Sequence, residues 1–92
     1  MTQNLFPLGK LVATPGVLDA LLEVQEIPTT YVWRHLAGDW GDLDAEDKAS
    51  NNDALKTGER ILSAYNLKNG KRIWIITEAD RSSTCILLPE EY

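Results

Sequence analysis

The chain of 92 residues contains a single cysteine, Cys85, and a single histidine, His35. One thiol cannot close an internal disulfide and has no second cysteine with which to build a structural metal site, which points to a reducing compartment and to stability from packing alone. No apolar run approaches the roughly 20 residues that a membrane span needs. Met1 to Gly9 lacks the basic start and long apolar stretch of a signal peptide, so the expected location is the cytoplasm, with no membrane partner. Cationic side chains are also scarce: 9 Lys and Arg stand against 14 Asp and Glu, a formal charge of −5. Affinity for phosphate backbones rests on clustered Lys and Arg, so general nucleic-acid binding is not expected. A glycine-rich phosphate loop is missing as well, because Gly38-Asp39-Trp40-Gly41 has neither the spacing nor the lysine of one. No cofactor is expected.

What is present describes one ordinary globular unit. Hydrophobic residues make up 43% of the chain and charged residues 25%, enough to close a single core over residues 1–92 but not a second. Leu8 to Ala13 reads as a short strand that runs into Thr14-Pro15-Gly16, where Thr14 suits the N-cap of a first helix and Pro15 its first position. Val17, Leu18, Leu21 and Leu22 keep the helical period to about Gln25. Pro28 opens a second helix, capped by Thr29 or Thr30 and ending at Ala37, with Gly38 at the left-handed closing position. Asp44 caps a third, with Asp47 three residues on, and Gly58 ends it. Asn51 and Asn52 are poor helix formers in its middle, which implies that something needs those amides.

From Arg60 the period becomes alternating. Arg60 to Leu67 and Lys71 to Ala79 flank Asn69-Gly70, the strongest short hairpin signal, and Thr84 to Leu88 reads as a further strand closed by Pro89. The expected fold is α+β: a short N-terminal strand, three helices, then a three-stranded antiparallel β-meander with helices packed on one sheet face. A two-residue turn at Asn69-Gly70 would set Tyr65 opposite Trp74, Ser63 opposite Ile76 and Ile61 opposite Glu78. The core face would then carry Leu62, Ala64, Ile73 and Ile75. The outer face would carry Ile61, Ser63, Tyr65, Trp74, Ile76 and Glu78, open as a binding platform or as a homodimer interface.

Several stretches taken together carry a resemblance. Val12-Ala13-Thr14-Pro15-Gly16, His35-Leu36-Ala37-Gly38-Asp39-Trp40-Gly41, Arg60-Ile61-Leu62-Ser63-Ala64-Tyr65 and the run from Ile73 to Ser82 make the chain resemble a family of small bacterial proteins labelled plasmid-related or hypothetical. The resemblance extends over nearly the whole chain. It implies a gene carried on a plasmid or another mobile element, and it brings no catalytic residues with it.

Two candidate sites follow from the residues. His35 lies four positions before Asp39, a carboxylate that could orient an imidazole as a general base, although a histidine also suits a helix C-terminus. With Arg60, Tyr65 and Thr77 on or beside the hairpin it forms the catalytic set of one reading, a small metal-independent RNase or toxin-like enzyme; that comparison is by layout alone. The other reading is a non-enzymatic accessory protein that binds another protein with a basic surface. Its site is the acidic stretch from Asp39 to Asp53, with Asp39, Asp42 and Asp44 as the charged rim, Trp40 between two glycines as the anchor, and Trp74 on the hairpin; the same glycines also allow Trp40 to fold back as a lid over the core. Asp42, Asp44 and Glu46 alternate like the ligands of a calcium loop, but Asp47 occupies the position that requires glycine, so no metal site is expected. Cys85 alternates with apolar residues and reads as a small core side chain.

Overall fold

The computed structural model describes residues 4–92. Its elements are β1 (Lys10–Ala13), α1 (Pro15–Glu23), α2 (Pro28–Leu36), α3 (Ala45–Thr57), β2 (Ile61–Asn66), β3 (Arg72–Thr77), β4 (Ser83–Leu87) and a C-terminal 3-10 turn (Pro89–Glu91). The fold is α+β as expected, with one addition. β1 joins the meander, pairing parallel with β4, so the sheet is four-stranded and mixed in the order β1-β4-β3-β2.

The helix ends follow local chemistry. The Thr14 hydroxyl accepts the amide of Val17 at 3.3 Å with Pro15 at the first helical position, and the Asp44 carboxylate accepts the amide of Asp47 at 2.8 Å. Gly58 ends α3 in the left-handed region, φ 80°. α2 differs from expectation. Its N-cap is Ile27, which offers no side-chain acceptor, and neither Thr29 nor Thr30 caps it. Pro28 fixes the first helical φ and has no amide to satisfy, so the helix begins without a polar cap.

The hairpin register is one residue away from a two-residue turn. Ile61 pairs with Thr77, Ser63 with Ile75, Ala64 with Trp74 and Tyr65 with Ile73. The loop has three residues, Lys68 to Gly70, closed by the amide of Leu67 on the Lys71 carbonyl at 2.7 Å and the amide of Gly70 on the Leu67 carbonyl at 3.0 Å. Only Gly70 takes positive φ, +84°, whereas a two-residue turn would need Asn69 there too. Because side chains alternate, a slip of one residue turns every side chain of β2 to the opposite face. The covered face therefore carries Ile61, Ser63, Tyr65, Ile73, Ile75 and Thr77, all buried, while Leu62, Ala64, Asn66, Arg72, Trp74 and Ile76 lie on the other.

At Gly70 no heavy atom lies within 4 Å of an added Cβ, so only backbone strain opposes a side chain. Gly70→Val should therefore cost about 1–2 kcal/mol, read from denaturant unfolding, with Gly70→Asn costing less because asparagine tolerates positive φ. An unchanged midpoint in the valine variant would mean that the loop does not hold this conformation.

Both asparagines of α3 have uses. The Asn51 amide clamps the outer edge of β2: its Nδ2 donates to the Leu62 carbonyl at 2.7 Å and its Oδ1 accepts the Leu62 amide at 3.1 Å. Asn52 Oδ1 accepts the indole N–H of Trp40 at 3.0 Å. Next along the same edge, Trp40 and Asp42 form a parallel bridge to Ala64, its amide donating to the Trp40 carbonyl at 3.2 Å and its carbonyl accepting the Asp42 amide at 2.7 Å. The Asp42 carboxylate then accepts the Asn66 amide at 2.8 Å. Every outward-facing group that would leave β2 open to pairing is thus occupied at Leu62 and Ala64, and the amide at Asn66.

Candidate functional site

His35 is fully buried beneath α2, with no exposed surface. Its ring packs edge-on against Phe6, centroids 5.1 Å apart, and against Trp40 at 5.9 Å. The hydrogen bonds around it run in one direction. Thr84 Oγ1 donates its only proton to the Leu8 carbonyl at 2.8 Å, so at 2.7 Å it accepts from the Thr77 hydroxyl. Thr77 in turn accepts from His35 Nε2 at 2.9 Å, which places the imidazole proton on Nε2. Nδ1 is then an acceptor and receives the Ser63 hydroxyl at 2.5 Å. Burial pushes the His35 pKa down to about 4, so the ring is neutral near pH 7.

This chain runs from Ser63 through His35, Thr77 and Thr84 to the Leu8 carbonyl; its four polar side chains are fully buried and every one of them has a partner. The residues of the nuclease reading are accordingly not gathered in a cleft. His35 and Thr77 touch but are sealed inside the core, and Tyr65 is fully buried, donating its hydroxyl to the Asp39 carbonyl at 2.7 Å. Arg60 lies on the far side of the sheet, its Nη1 donating to the Tyr92 hydroxyl at 2.5 Å. A general base must reach a substrate proton within hydrogen-bond distance, and both ring nitrogens of His35 are taken up by Ser63 and Thr77 with no surface of the residue exposed.

The docking site needs a correction too. Trp40 is 3% exposed and belongs to the core, so it is no surface anchor. The glycines beside it do the opposite of presenting it: Gly41 at φ +77° turns the chain inward so that the backbone runs along β2. Asp39 pairs with Arg34 at 2.6 Å and accepts the Gly41 amide at 3.1 Å, and the Arg34 bond holds its carboxyl below the usual range. Asp42 and Asp44 are the edge bond and the helix cap already described. Asp42, Asp44, Glu46 and Asp53 do not gather as ligands; among the described residues no group of three or more His, Cys, Asp or Glu is placed to hold a metal ion. Cys85 is half-buried in β4, and burial raises its thiol pKa, which makes it a poor nucleophile at neutral pH.

Trp74 does face outward, and a concavity lies around it. A groove of about 530 Å³ runs over the outer sheet face between α3 and the C-terminal turn, lined by Leu43, Leu62, Trp74 and Pro89 as apolar surface and by Asp47, Ser50, Arg60 and Arg72 as polar surface. The Trp74 ring meets Tyr92 edge-on, centroids 5.8 Å apart. Neither Arg60 nor Arg72 forms an ion pair among the described residues. Arg72 Nη2 donates to the Asp42 carbonyl at 2.8 Å and Arg60 to Tyr92, both neutral acceptors, so each guanidinium keeps donors in reserve. Trp74 and Arg60 are among the residues the sequence singles out, whereas Leu62 and Arg72 are brought to the groove by the observed register. The two-residue turn assumed for the hairpin hid Leu62 on the covered face. Arg72, two positions before Trp74 and hence on its face, was the available signal.

No described helix is long and apolar enough to cross a membrane. Comparison with protein-family models, with curated proteins and with solved structures gives no match to this chain.

Proposed function

We propose that this chain is a non-catalytic binding domain, a small accessory protein of a plasmid or other mobile element as the sequence resemblance implies, that works in the cytoplasm by holding an extended segment of another protein in the outer groove. The observation that carries the reading is the groove itself: an aromatic and aliphatic floor, Trp74 and Leu62, flanked by two arginines with unused donors. Apolar side chains of the segment would cover Trp74, and Arg60 and Arg72 would donate to its backbone carbonyls. Asp47 is the one carboxylate in the groove, opposite Arg60 and Arg72, and with Glu46 and Asp53 elsewhere on the same helix it would meet a basic group of the partner at the rim. His35 buried in a satisfied network supports a binding role over a catalytic one.

Affinity capture from the source cells, followed by kinetics with the purified partner, tests this. Trp74→Ala should weaken binding by about 2 kcal/mol, roughly thirtyfold, through faster dissociation, with the fold retained because the indole is only half-buried. Asp47→Asn should instead slow association at low salt. A partner that binds the Trp74 variant with unchanged lifetime would place the binding surface elsewhere.

A further inference from the structure

The two edges of the sheet are treated in opposite ways. On β2 the backbone edge is filled by the Asn51 clamp, the Gly41 bridge and the Asp42 carboxylate. β1 is at the other end of the strand order, no described residue pairs with its outer side, and all four of its residues are exposed. The amides of Lys10 and Thr14 donate to the carbonyls of Ser82 and Ile86, each at 3.0 Å, so these positions turn their backbone toward β4. The backbone groups of the intervening Leu11 and Ala13 consequently point outward, and among the described residues they have no hydrogen-bond partner. The open edge is short. Gly9, at φ +65°, bends the chain before it, and Pro15, which has no amide, closes it after.

We propose that this edge pairs with the same edge of a second copy of the chain, antiparallel about a two-fold axis at Val12, to join two four-stranded sheets into one. The register follows from the open groups. Only the alignment of Leu11 with Ala13 of the second copy, and Ala13 with its Leu11, uses both amides and both carbonyls of each copy. Val12 then faces Val12 across the axis as a close non-hydrogen-bonded pair, covering apolar side chains that are 43% exposed at Leu11 and 40% at Val12.

The charges agree with the same alignment. Lys10 comes opposite Thr14 of the second copy, and the Thr14 hydroxyl donates to the Glu91 carboxylate at 2.5 Å. Lys10, Val12 and Thr14 alternate onto one sheet face, so the Lys10 ammonium reaches the Glu91 carboxylate of the second copy, twice by symmetry. Lys10 has no ion pair within its own chain among the described residues. An edge of this length buries little area, so the dimer is a weak one, with Kd between micromolar and millimolar.

Sedimentation equilibrium up to millimolar protein, with amide exchange followed by NMR over the same range, tests the pairing. The expected results are a concentration-dependent dimer and exchange that slows at Leu11 and Ala13 as the dimer forms, while Lys10 and Thr14, already bonded, change little. Val12→Lys sets two like charges face to face at an exposed position and should raise Kd at least about tenfold with an unchanged unfolding midpoint. Should that variant fold poorly, Lys10→Glu, which opposes Glu91 without touching the ladder, should weaken the dimer in the same direction. A wild-type chain that stays monomeric at millimolar concentration overturns the proposal. So does a dimer in which the Leu11 and Ala13 amides exchange freely, or an edge that takes up an extended strand of another protein while the chain itself remains monomeric.

Discussion

Replacing His35 by alanine should lower stability by about 3–5 kcal/mol, the loss of a packed ring in contact with Phe6 and Trp40 plus the hydroxyls of Ser63 and Thr77 left unpaired in the core. For a domain of this size that corresponds to a fall in Tm of about 15 °C or more. The same histidine sets a pH dependence. Its pKa is 6.5 as a free group and about 4 when folded, so the folded state disfavours the proton. Above pH 6.5 both states are neutral at this position and its full contribution is present. As pH falls from 6.5 toward 4 the unfolded chain takes up a proton that the folded chain refuses, and about 3 kcal/mol of stability is lost across that window. Denaturant melts at intervals from pH 7.5 to 4 read this directly. His35→Gln, which keeps a donor over Thr77 and does not titrate, should lose the His35 part of the slope while retaining that of the carboxylates. A wild-type curve no steeper than that of the glutamine variant would mean that the ring is reached by water or protonated in the fold.

Gly41→Ala should be as damaging, at about 3 kcal/mol or more, although it adds one methyl group. Its φ of +77° already disfavours a side chain, and a Cβ built there collides with the Ala64 carbonyl oxygen and lies 2.5 and 2.7 Å from ring carbons of Tyr65. Ala64 belongs to the sheet and Tyr65 is fully buried, so neither can give way without opening the core. The contrast with Gly58 isolates the cause: φ there is +80°, yet no atom lies within 4 Å of an added Cβ. Gly58→Ala should cost only about 1 kcal/mol of backbone strain. Equal midpoints for the two alanine variants would show that the loop from Asp39 to Leu43 is not pressed against β2.

The buried polar chain explains why candidate sites were hard to read from residue types. A lone histidine four positions from an aspartate is compatible with a general base and with a core group, and the two differ only in what lies above the ring. Asp39 in fact turns away to Arg34, and the ring's partners, Ser63 and Thr77, lie 28 and 42 residues further along the chain. Trp40 is a similar case. Flanking glycines permit either an exposed loop tip or an inward fold, and the choice rests on the bridge to Ala64 and the bond to Asn52. Asn51 and Asn52 are the instructive exception. Their poor helical propensity, visible in the sequence, marks the two amides that the tertiary structure uses.

By itself the sequence determined what is local: the caps at Thr14 and Asp44, the stops at Gly58 and Pro89, the helical and alternating periods, and from their order an α+β fold. These depend on neighbours within a few residues, whose hydrogen bonding and φ preferences act in any context. Tertiary structure alone decided the pairing of β1 with β4, separated by most of the chain, and the three-residue loop that turned β2 over. It also decided which polar side chains were buried as His35 is and which edge was left open. Those outcomes depend on which surfaces meet, and a shift of one residue between two strands exchanges a core face for a solvent face with no change in composition or period.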